Sequence, residues 1–299
     1  MWSPRVGNVD MQQQTTYAAP RSLDEAVALM AQAGSAGRIL AGGTDLLVQM
    51  RAGTIAPGAI VDVKRIAELT TIAESAGGYR IGAAVPAAAI GEHDGLRSAW
   101  PGVVEAVNLI GSKQVQGRAS IGGNLCNASP AADSAPALVA AGAVLTIQGP
   151  KGRREAPVET LHAGPGRTTL APGEMLVSIF LPARPAHSGD AYLRLIPRTE
   201  MDIAVVGCAV SLTMDGDVCV AARVGLGAVA PTVLRVDAAA GALVGSRLEA
   251  AAVARASAAC REACRPIDDK RGTIAYRTKI AGVLLARAAA IAAERARSH

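Results

Sequence analysis

The sequence predicts an α+β protein built from two units, and three observations lead to this prediction. The chain has 299 residues, half of them hydrophobic, which is enough for more than one domain with a substantial core. Short β-favouring runs alternate with helical patterns up to about residue 183. From residue 184 the pattern changes to longer strands followed by two alanine-rich helices. We therefore expect an N-terminal α+β unit followed by a three-stranded antiparallel sheet backed by helices.

The N-terminal unit is expected to begin with a helix after a flexible leader over residues 1–16. Ser22 can accept a hydrogen bond from the N–H of Glu25, whose carboxylate reaches back toward the helix start in a capping box. Gly34 is placed to end this helix. Hydrophobic runs and their spacing predict the other elements of the unit. They are strands at 39–41, 60–63, 79–82, 144–148, 153–158 and 175–181, and helices at 101–110 and 135–141.

The C-terminal unit, residues 184–299, is expected to pair its strands through hairpins. Asp215-Gly216 marks a tight turn between the second and third strands. The predicted strands cover 190–196, 204–214 and 218–226, and the predicted helices cover 249–264 and 273–297.

Composition narrows the functional class. The net charge is +5, but the basic residues are scattered and aromatic residues make up only 2% of the chain, which disfavours nucleic-acid binding. No segment reaches the roughly 18 apolar residues of a membrane span, and the first 20 residues lack the apolar region of a secretory signal. The five cysteines follow neither a disulfide framework nor a metal-ligand spacing. We expect a cytoplasmic protein without a metal site.

Two glycine pairs, Gly42-Gly43 and Gly122-Gly123, are the most informative feature of the sequence. Each pair follows a short apolar run and precedes a hydroxyl or amide side chain, Thr44 or Asn124. Glycine lets a turn expose successive backbone N–H groups with no Cβ between them and a ligand. Two such turns can hold one diphosphate from two sides. The pattern therefore indicates a dinucleotide site that differs from the Rossmann geometry.

Three further motifs are weighed against simpler explanations. Asp133 can bind ribose hydroxyls or can cap the helix that follows it, and both interpretations remain open. Arg194 lies near Arg198 and Asp202, and this spacing fits either salt bridges or a cation placed over a flavin. The G-x-G-x-x-A match at 225–230 has neither a convincing helix after it nor a carboxylate about twenty residues on. We interpret that match as a strand and a turn.

Together these residues resemble the FAD-binding medium subunit of the molybdenum hydroxylases, the family that contains xanthine dehydrogenase and carbon monoxide dehydrogenase. The resemblance covers nearly the whole chain after residue 16. It rests on four segments, AGGTDLL at 41–47, SIGGNLCNASPAADSAPAL at 120–138, GEMLVSIFLP at 173–182 and RTEMDIAVVG at 198–207.

The resemblance implies a two-subdomain FAD-binding fold like that of the vanillyl-alcohol-oxidase flavoproteins. The FAD-binding domain would cover 17–183, with subdomains at about 17–72 and 73–183, and a flavoprotein domain would cover 184–299. Residues 39–46 and 120–124 would surround the diphosphate, and Asp133 would bind the ADP half. The implied FAD contacts are Ile39, Leu40, Ala41, Gly42, Gly43, Thr44, Asp45, Leu46, Ile110, Ser120, Ile121, Gly122, Gly123, Asn124, Asp133, Leu176 and Arg194.

The resemblance assigns Ile110 and Arg194 to the flavin and matches Leu176 to an apolar FAD contact. Ile110 would lie beside the isoalloxazine ring, where animal xanthine dehydrogenases carry an aromatic residue, and Leu176 would add an apolar contact. Arg194 stands where the family has a flavin-contacting lysine, and arginine and lysine are not interchangeable.

The resemblance also implies a function. The chain would be the FAD-carrying electron-transfer subunit of a heteromeric molybdenum hydroxylase, with no catalytic residue of its own. A small partner subunit would hold [2Fe–2S] clusters, a large one would hold the molybdopterin cofactor, and the assembly would be a dimer of heterotrimers. NAD⁺, a quinone or O₂ would accept the electrons. A stand-alone flavin oxidoreductase and a non-catalytic nucleotide-binding assembly subunit remain as alternatives.

Overall fold

The computed structural model describes residues 14–199 and 201–298. Residues 1–13, most of the expected leader, lie outside the described residues. Two hydrophobic cores organise the chain. The first is built mainly from residues between Ala26 and Leu181, and the second from residues between Ala191 and Ala296. Tyr192 from the C-terminal part belongs to the first core, so the two parts of the chain share a packed boundary.

The strands are distributed over four sheets. Their bounds are β1 (Thr16–Ala18), β2 (Gly37–Leu40), β3 (Ala59–Asp62), β4 (Ile72–Ser75), β5 (Gly78–Gly82), β6 (Val144–Gly149), β7 (Gly152–Pro157), β8 (His162–Gly164), β9 (Arg167–Thr168), β10 (Met175–Leu181), β11 (Ser188–Leu195), β12 (Val206–Asp215), β13 (Val218–Gly227) and β14 (Leu234–Arg235).

The helices are short in the first part of the chain and long at its end. Their bounds are α1 (Leu23–Ala33), α2 (Leu46–Arg51), α3 (Ala67–Thr70), α4 (Ala87–Glu92), α5 (Asp94–Ala99), α6 (Pro101–Val107), α7 (Lys113–Gln116), α8 (Ile121–Cys126), α9 (Ser134–Ala141), α10 (Asp237–Leu243), α11 (Ala250–Ala263) and α12 (Ile274–Arg297). Two 3₁₀ turns cover Gly34–Ala36 and Val158–Thr160. No helix of residues 14–199 and 201–298 is long and apolar enough to cross a bilayer.

The N-terminal half contains two sheets of different kinds. The first is a parallel sheet in the order β1-β3-β2, and the second is an antiparallel sheet in the order β4-β5-β10-β6-β7. A small antiparallel β8–β9 ribbon comes between β7 and β10 in the chain. The elements predicted in this half are present, although α6 ends at Val107 rather than at residue 110. Helix α2 was not predicted.

The first helix shows how local chemistry sets an element's bounds. The Oγ of Ser22 accepts a hydrogen bond from the N–H of Glu25 at 3.2 Å, as the capping box predicts. The Glu25 carboxylate accepts from the N–H of Arg21 at 3.1 Å, one residue before the expected position. The helix ends where Gly34 adopts a φ of 55°, a conformation that glycine tolerates.

The C-terminal sheet is antiparallel in the order β11-β12-β13-β14, so it has four strands rather than the three predicted. The fourth strand has only two residues, which is too short for an alternating pattern to appear in the sequence. The hairpin at Asp215 is present, with Asp215 paired to Val218. Helices α11 and α12 match the prediction closely, whereas α10 was not predicted.

The G-x-G-x-x-A segment is a strand end, as interpreted from the sequence. Gly225 and Gly227 lie in β13, which packs against α9. A Cβ on Gly225 would lie 2.2 Å from the carbonyl oxygen of Pro136. Close packing between the strand and the helix therefore accounts for this glycine.

Candidate cofactor-binding site

A cavity of about 440 Å³ lies where the loop after β2, the start of α8 and the loop before β10 meet. Its volume falls in the range typical of small-molecule and cofactor sites. The sequence-predicted site residues that line it are Ile39, Ala41, Gly42, Gly43, Thr44, Asp45, Leu46, Ile110, Ser120, Gly122, Gly123, Asn124 and Leu176. Leu40, Ile121, Asp133 and Arg194 do not line it.

The first glycine loop approaches the segment before α8 directly. A Cβ on Gly42 would lie only 1.8 Å from the carbonyl oxygen of Arg118, so only glycine allows this contact. Gly43 has a φ of 76°, which also favours glycine. The two glycine segments, far apart in sequence, are therefore neighbours at the cavity.

The first loop presents unused hydrogen-bond donors. Within the described residues, the N–H groups from Gly42 to Leu46 donate no backbone or side-chain hydrogen bond, while Leu47 already bonds the Gly43 carbonyl at 3.1 Å. Lys64 holds the start of the loop, because its Nζ donates to the Ala41 carbonyl at 3.1 Å and pairs with Asp62 at 2.7 Å. A fixed row of N–H groups is a suitable site for an anion.

The second glycine segment differs from the expected turn. Gly122 and Gly123 lie in the first turn of α8, and Ser120 caps this helix by accepting from the Gly123 N–H at 3.1 Å. The Gly122 N–H donates to the Ala83 carbonyl at 3.1 Å. These two amides are therefore already used, and the expectation that both pairs expose successive N–H groups is wrong for this one. The reason is that the Ser120 cap and the Ala83 carbonyl supply partners from outside the local sequence.

Instead of free N–H groups, the second glycine segment provides part of the cavity wall. A Cβ on Gly123 would meet only the Ser120 Oγ, at 2.9 Å, among neighbouring atoms within 4 Å. Gly123 lines the cavity, and the absence of a side chain lets the Ser120 hydroxyl lie close to the helix start. Asn124 is anchored beneath it, because its Oδ1 accepts from the Ser134 hydroxyl at 2.7 Å.

The remaining lining is largely apolar. Ile110 and Leu176 are 8% and 4% exposed and lie on the cavity wall together with Val63, Leu69 and Ala83. Among the described lining residues, Arg38 is the one basic side chain. Its guanidinium also donates to the carbonyls of Ser35 and Gly37, each at 2.7 Å.

Asp133 and Arg194 pair with each other away from the cavity. Arg194 lies 2.7 Å from the Asp133 carboxylate and also donates to the Leu109 carbonyl at 2.9 Å. The Tyr192 hydroxyl donates to the second Asp133 oxygen at 3.0 Å. Burial raises the pKa of Asp133, and this outweighs the opposing effects of Arg194 and Tyr192. This buried pair fixes the backbone beside Ile110, and neither residue reaches the cavity lining.

The two other residues outside the lining have packing roles. Ile121 is fully buried in the first core. The Leu40 side chain lies beneath Gly43, where a Cβ would approach its Cδ1 to 2.9 Å.

Sequence reasoning missed several lining residues, including Gln49, Asn127, Cys126 and Glu174. Cys126 and Asn127 lie inside the NLCNASP segment, so their position beside Asn124 was the available signal. Glu174 lies in the GEML segment, from which only Leu176 was selected. Cys126 lines the cavity, and desolvation raises the pKa of its thiol above the ordinary value, so it is a neutral thiol at ordinary pH.

These features fit a dinucleotide that carries a diphosphate and a flat aromatic ring system. The N–H groups at 42–46 can bind phosphate oxygens, and Gly123 places no side chain on the cavity lining. The buried wall of Ile110 and Leu176 suits a flat aromatic ring. FAD has both parts, so the residues present fit this cofactor.

Comparison with known proteins gives an independent result. Residues 11–184 match the family described as the FAD binding domain in molybdopterin dehydrogenase, and residues 191–292 match the CO dehydrogenase flavoprotein C-terminal domain. The carbon monoxide dehydrogenase medium chain of Afipia carboxidovorans is 36% identical over 282 residues, which are 94% of this chain and 98% of that one. The xanthine dehydrogenase FAD-binding subunit of Escherichia coli O157:H7 is 34% identical over 74% of this chain and 76% of its own length.

Solved structures agree. A chain of the cyanide-inactivated Cu,Mo-CO dehydrogenase superposes with a TM-score of 0.91 at 36% identity, covering 94% of this chain and 99% of that chain. A chain of quinoline 2-oxidoreductase from Pseudomonas putida 86 gives a TM-score of 0.87 at 29% identity, with 95% and 98% covered. The expected α+β FAD-binding fold is confirmed. The chain belongs to the family of FAD-binding medium subunits of the molybdenum hydroxylases.

Proposed function

We propose that the chain holds FAD in the cavity between the 41–46 loop and α8, and that it is the electron-transfer subunit of a molybdenum hydroxylase complex. In this proposal a small partner subunit supplies electrons from [2Fe–2S] clusters, and a large partner oxidises the substrate at a molybdopterin cofactor. The acceptor is NAD⁺, a quinone or O₂. The assembly is a dimer of heterotrimers in the cytoplasm.

One observation carries the cofactor part of the proposal. Two glycine segments distant in sequence meet at one cavity, and one of them presents a row of N–H groups without partners in the described chain. The names of the relatives support the assembly part. They include a medium chain of carbon monoxide dehydrogenase and a beta subunit of caffeine dehydrogenase, and one matching structure is a carbon monoxide dehydrogenase that lacks the Mo-pyranopterin moiety of its molybdenum cofactor.

The chain's own residues bind and orient the cofactor. The N–H groups at 42–46 bind the diphosphate, and Arg38 offsets part of its charge. Ile110 and Leu176 pack against the ring and exclude water from it. The Asp133–Arg194 pair does not contact the cofactor. It positions Ile110, because Arg194 donates a hydrogen bond to the carbonyl of the neighbouring Leu109. FAD, when bound, supplies the redox chemistry, and the protein sets its position and electrostatic surroundings.

The Gly123→Val variant tests the cofactor site. A valine at Gly123 places a branched side chain on the cavity lining and against the Ser120 hydroxyl, so we expect the purified variant to lose its flavin while its circular dichroism spectrum stays native. Flavin content is measured by absorbance after denaturation. Gly241→Val is the matched control, because nothing lies within 4 Å of a Cβ at that exposed position. Normal FAD content in Gly123→Val would contradict this placement of the site.

Co-purification tests the assembly. A tagged chain purified from its native cells is expected to bring down a cysteine-rich iron–sulfur chain and a large molybdopterin-containing chain, identified by mass spectrometry and metal analysis. Recovery of the flavoprotein alone, able to oxidise a substrate without partners, would instead support a stand-alone oxidoreductase.

A further inference from the structure

Asp45 occupies a position where aspartate ordinarily caps a helix, but it does not cap one. It immediately precedes α2, and its side chain makes no hydrogen bond to the N–H groups of that helix. Its Oδ1 instead accepts from the Nδ2 of Asn127, 82 residues away in sequence, at 3.2 Å. The side chain therefore points across the cavity rather than along its own helix.

A hydrogen-bond chain fixes this orientation. The Gln49 Nε2 donates to the Asn127 Oδ1 at 3.1 Å, which leaves the Asn127 Nδ2 to donate to Asp45. All three residues line the cavity. In the described part of the chain, no donor lies on the second carboxylate oxygen of Asp45. Asp45 thus offers an open acceptor.

The other lining carboxylate is already satisfied. Glu174 accepts two hydrogen bonds from Arg154, both at 2.7 Å, and a third from the N–H of Ala171 at 2.8 Å. Asp45 has no such cationic partner, and burial raises the pKa of its carboxyl. An anionic acceptor of this kind repels phosphate and attracts O–H donors. The N–H groups directly before it are the ones assigned to the diphosphate.

We infer that Asp45 accepts a hydrogen bond from a sugar hydroxyl of the bound dinucleotide, next to its diphosphate. Asn127 and Gln49 are positioning residues that hold the carboxylate toward the ligand. This inference rests on the proposed function and deepens it, since a diphosphate in FAD is flanked by hydroxyl-bearing groups on both sides, the adenosine ribose and the ribityl chain.

The test measures dissociation constants for FAD and for FMN, by flavin fluorescence, on the flavin-depleted chain and its variants. Asp45→Ala is expected to bind FAD about ten- to a hundred-fold more weakly, which is the range for a lost hydrogen bond to a charged group. FMN distinguishes the two hydroxyl-bearing groups, because it has the ribityl chain but lacks the adenosine ribose. Unchanged FMN binding assigns the adenosine ribose, whereas an equal loss for FMN assigns the ribityl chain.

Asn127→Ala tests the positioning role. It is expected to weaken FAD binding in the native background and to have no further effect in an Asp45→Ala background, because it acts through that carboxylate. A purely structural role would give additive losses and a lower thermal midpoint in both backgrounds. Asp94→Asn, at an exposed acid outside the cavity lining, is the control for a change of charge alone.

Two results would overturn the inference. FAD affinity that is unchanged in Asp45→Ala would show that the carboxylate makes no contact. Affinity that rises in Asp45→Asn would show that the carboxylate only repels the diphosphate. Failure of the wild-type chain to bind FAD at all would instead overturn the proposed function, so the two failures are distinguishable.

Discussion

At the scale of single residues, Gly42 shows how the two halves of the site are joined. Its glycine character is required by the Arg118 carbonyl, which a Cβ would approach to 1.8 Å. The contact is made by backbone on one side, so no rotamer change can relieve a larger residue. The loop and the segment before α8 are therefore locked together before any ligand binds.

The Gly42→Ala variant tests this contact. Forcing the loop away from Arg118 is expected to cost about 1–3 kcal/mol in the free energy of unfolding and to lower FAD retention. Urea denaturation and flavin absorbance measure the two effects. Gly241→Ala, in the open part of α10, is expected to be stabilising by up to about 1 kcal/mol. A Gly42→Ala protein as stable as the wild type would show that the contact is loose.

The buried Asp133–Arg194 pair gives a second prediction at this scale. Arg194→Met leaves the Asp133 carboxylate buried without its cation, which is expected to lower the free energy of unfolding by about 3–5 kcal/mol. Adding Asp133→Asn to that variant removes the orphaned charge and is expected to restore part of the loss. Denaturation of both single variants and the double variant completes the cycle. Additive losses would mean that the two groups do not interact.

At the scale of elements, residues 121–126 form helix α8, where the sequence predicts a turn. Two adjacent glycines cost roughly 1 kcal/mol each in a helix interior, so the sequence alone favours a turn. The helix forms because the Ser120 side chain caps it and the Ala83 carbonyl, 39 residues away, accepts from Gly122. Such distant support has no signature in the local pattern.

Ser120→Ala tests this account of α8. Loss of the cap is expected to cost about 1 kcal/mol in the free energy of unfolding, and Ser120→Thr, which keeps the hydroxyl, is expected to cost less. Chemical denaturation compares the two variants. Equal losses for alanine and threonine would show that the hydroxyl does not cap the helix.

The other elements also divide into those set by neighbours in sequence, which were predictable, and those set by distant contacts, which were not. The Ser22 capping box and the Asp215 hairpin depend on neighbours in sequence, and both were predictable. Strand β14 forms through its pairing with Gly225 and Leu226, and the orientation of the Asp133 carboxylate is set by Arg194. Both depend on distant residues, so neither could be predicted from the local sequence. For the site, the glycine segments and their apolar wall followed from motifs. The hydrogen bond from Asn127 to Asp45 depends on tertiary geometry, so it could not be predicted from motifs.

At the scale of the whole molecule, the two parts of the chain are joined by a charged network. Asp190 on β11 is buried and pairs with Arg184 at 2.9 Å, and Arg184 also stacks over the ring of Trp100 at 4.7 Å. Arg295 of α12 pairs with Glu105 of α6. These contacts tie the C-terminal sheet and helix to the α5–α6 region, which leads to Ile110 at the cavity.

Asp190 makes stability depend on pH. Burial raises its pKa to about 6, and this outweighs the lowering by Arg184 and Arg295. Because the folded state holds this proton more tightly than the unfolded chain, whose aspartates titrate near pH 3.9, the contribution of Asp190 is full below about pH 4 and is lost as pH rises to about 6. The wild type should therefore lose stability relative to Asp190→Asn across that window. Denaturation curves that differ by a constant amount throughout the window would contradict this.

We propose that the 41–46 loop and α8 hold FAD between them, and amide hydrogen exchange is the sharpest test of this placement. Because the N–H groups from Gly42 to Leu46 have no partner in the described chain, they should exchange fast in the flavin-depleted protein and slow markedly when FAD binds. Gly122 and Gly123 should already be protected, and the distant hairpin at Asp215 should not change. Exchange across 42–46 that stays equally fast with FAD bound would contradict the account.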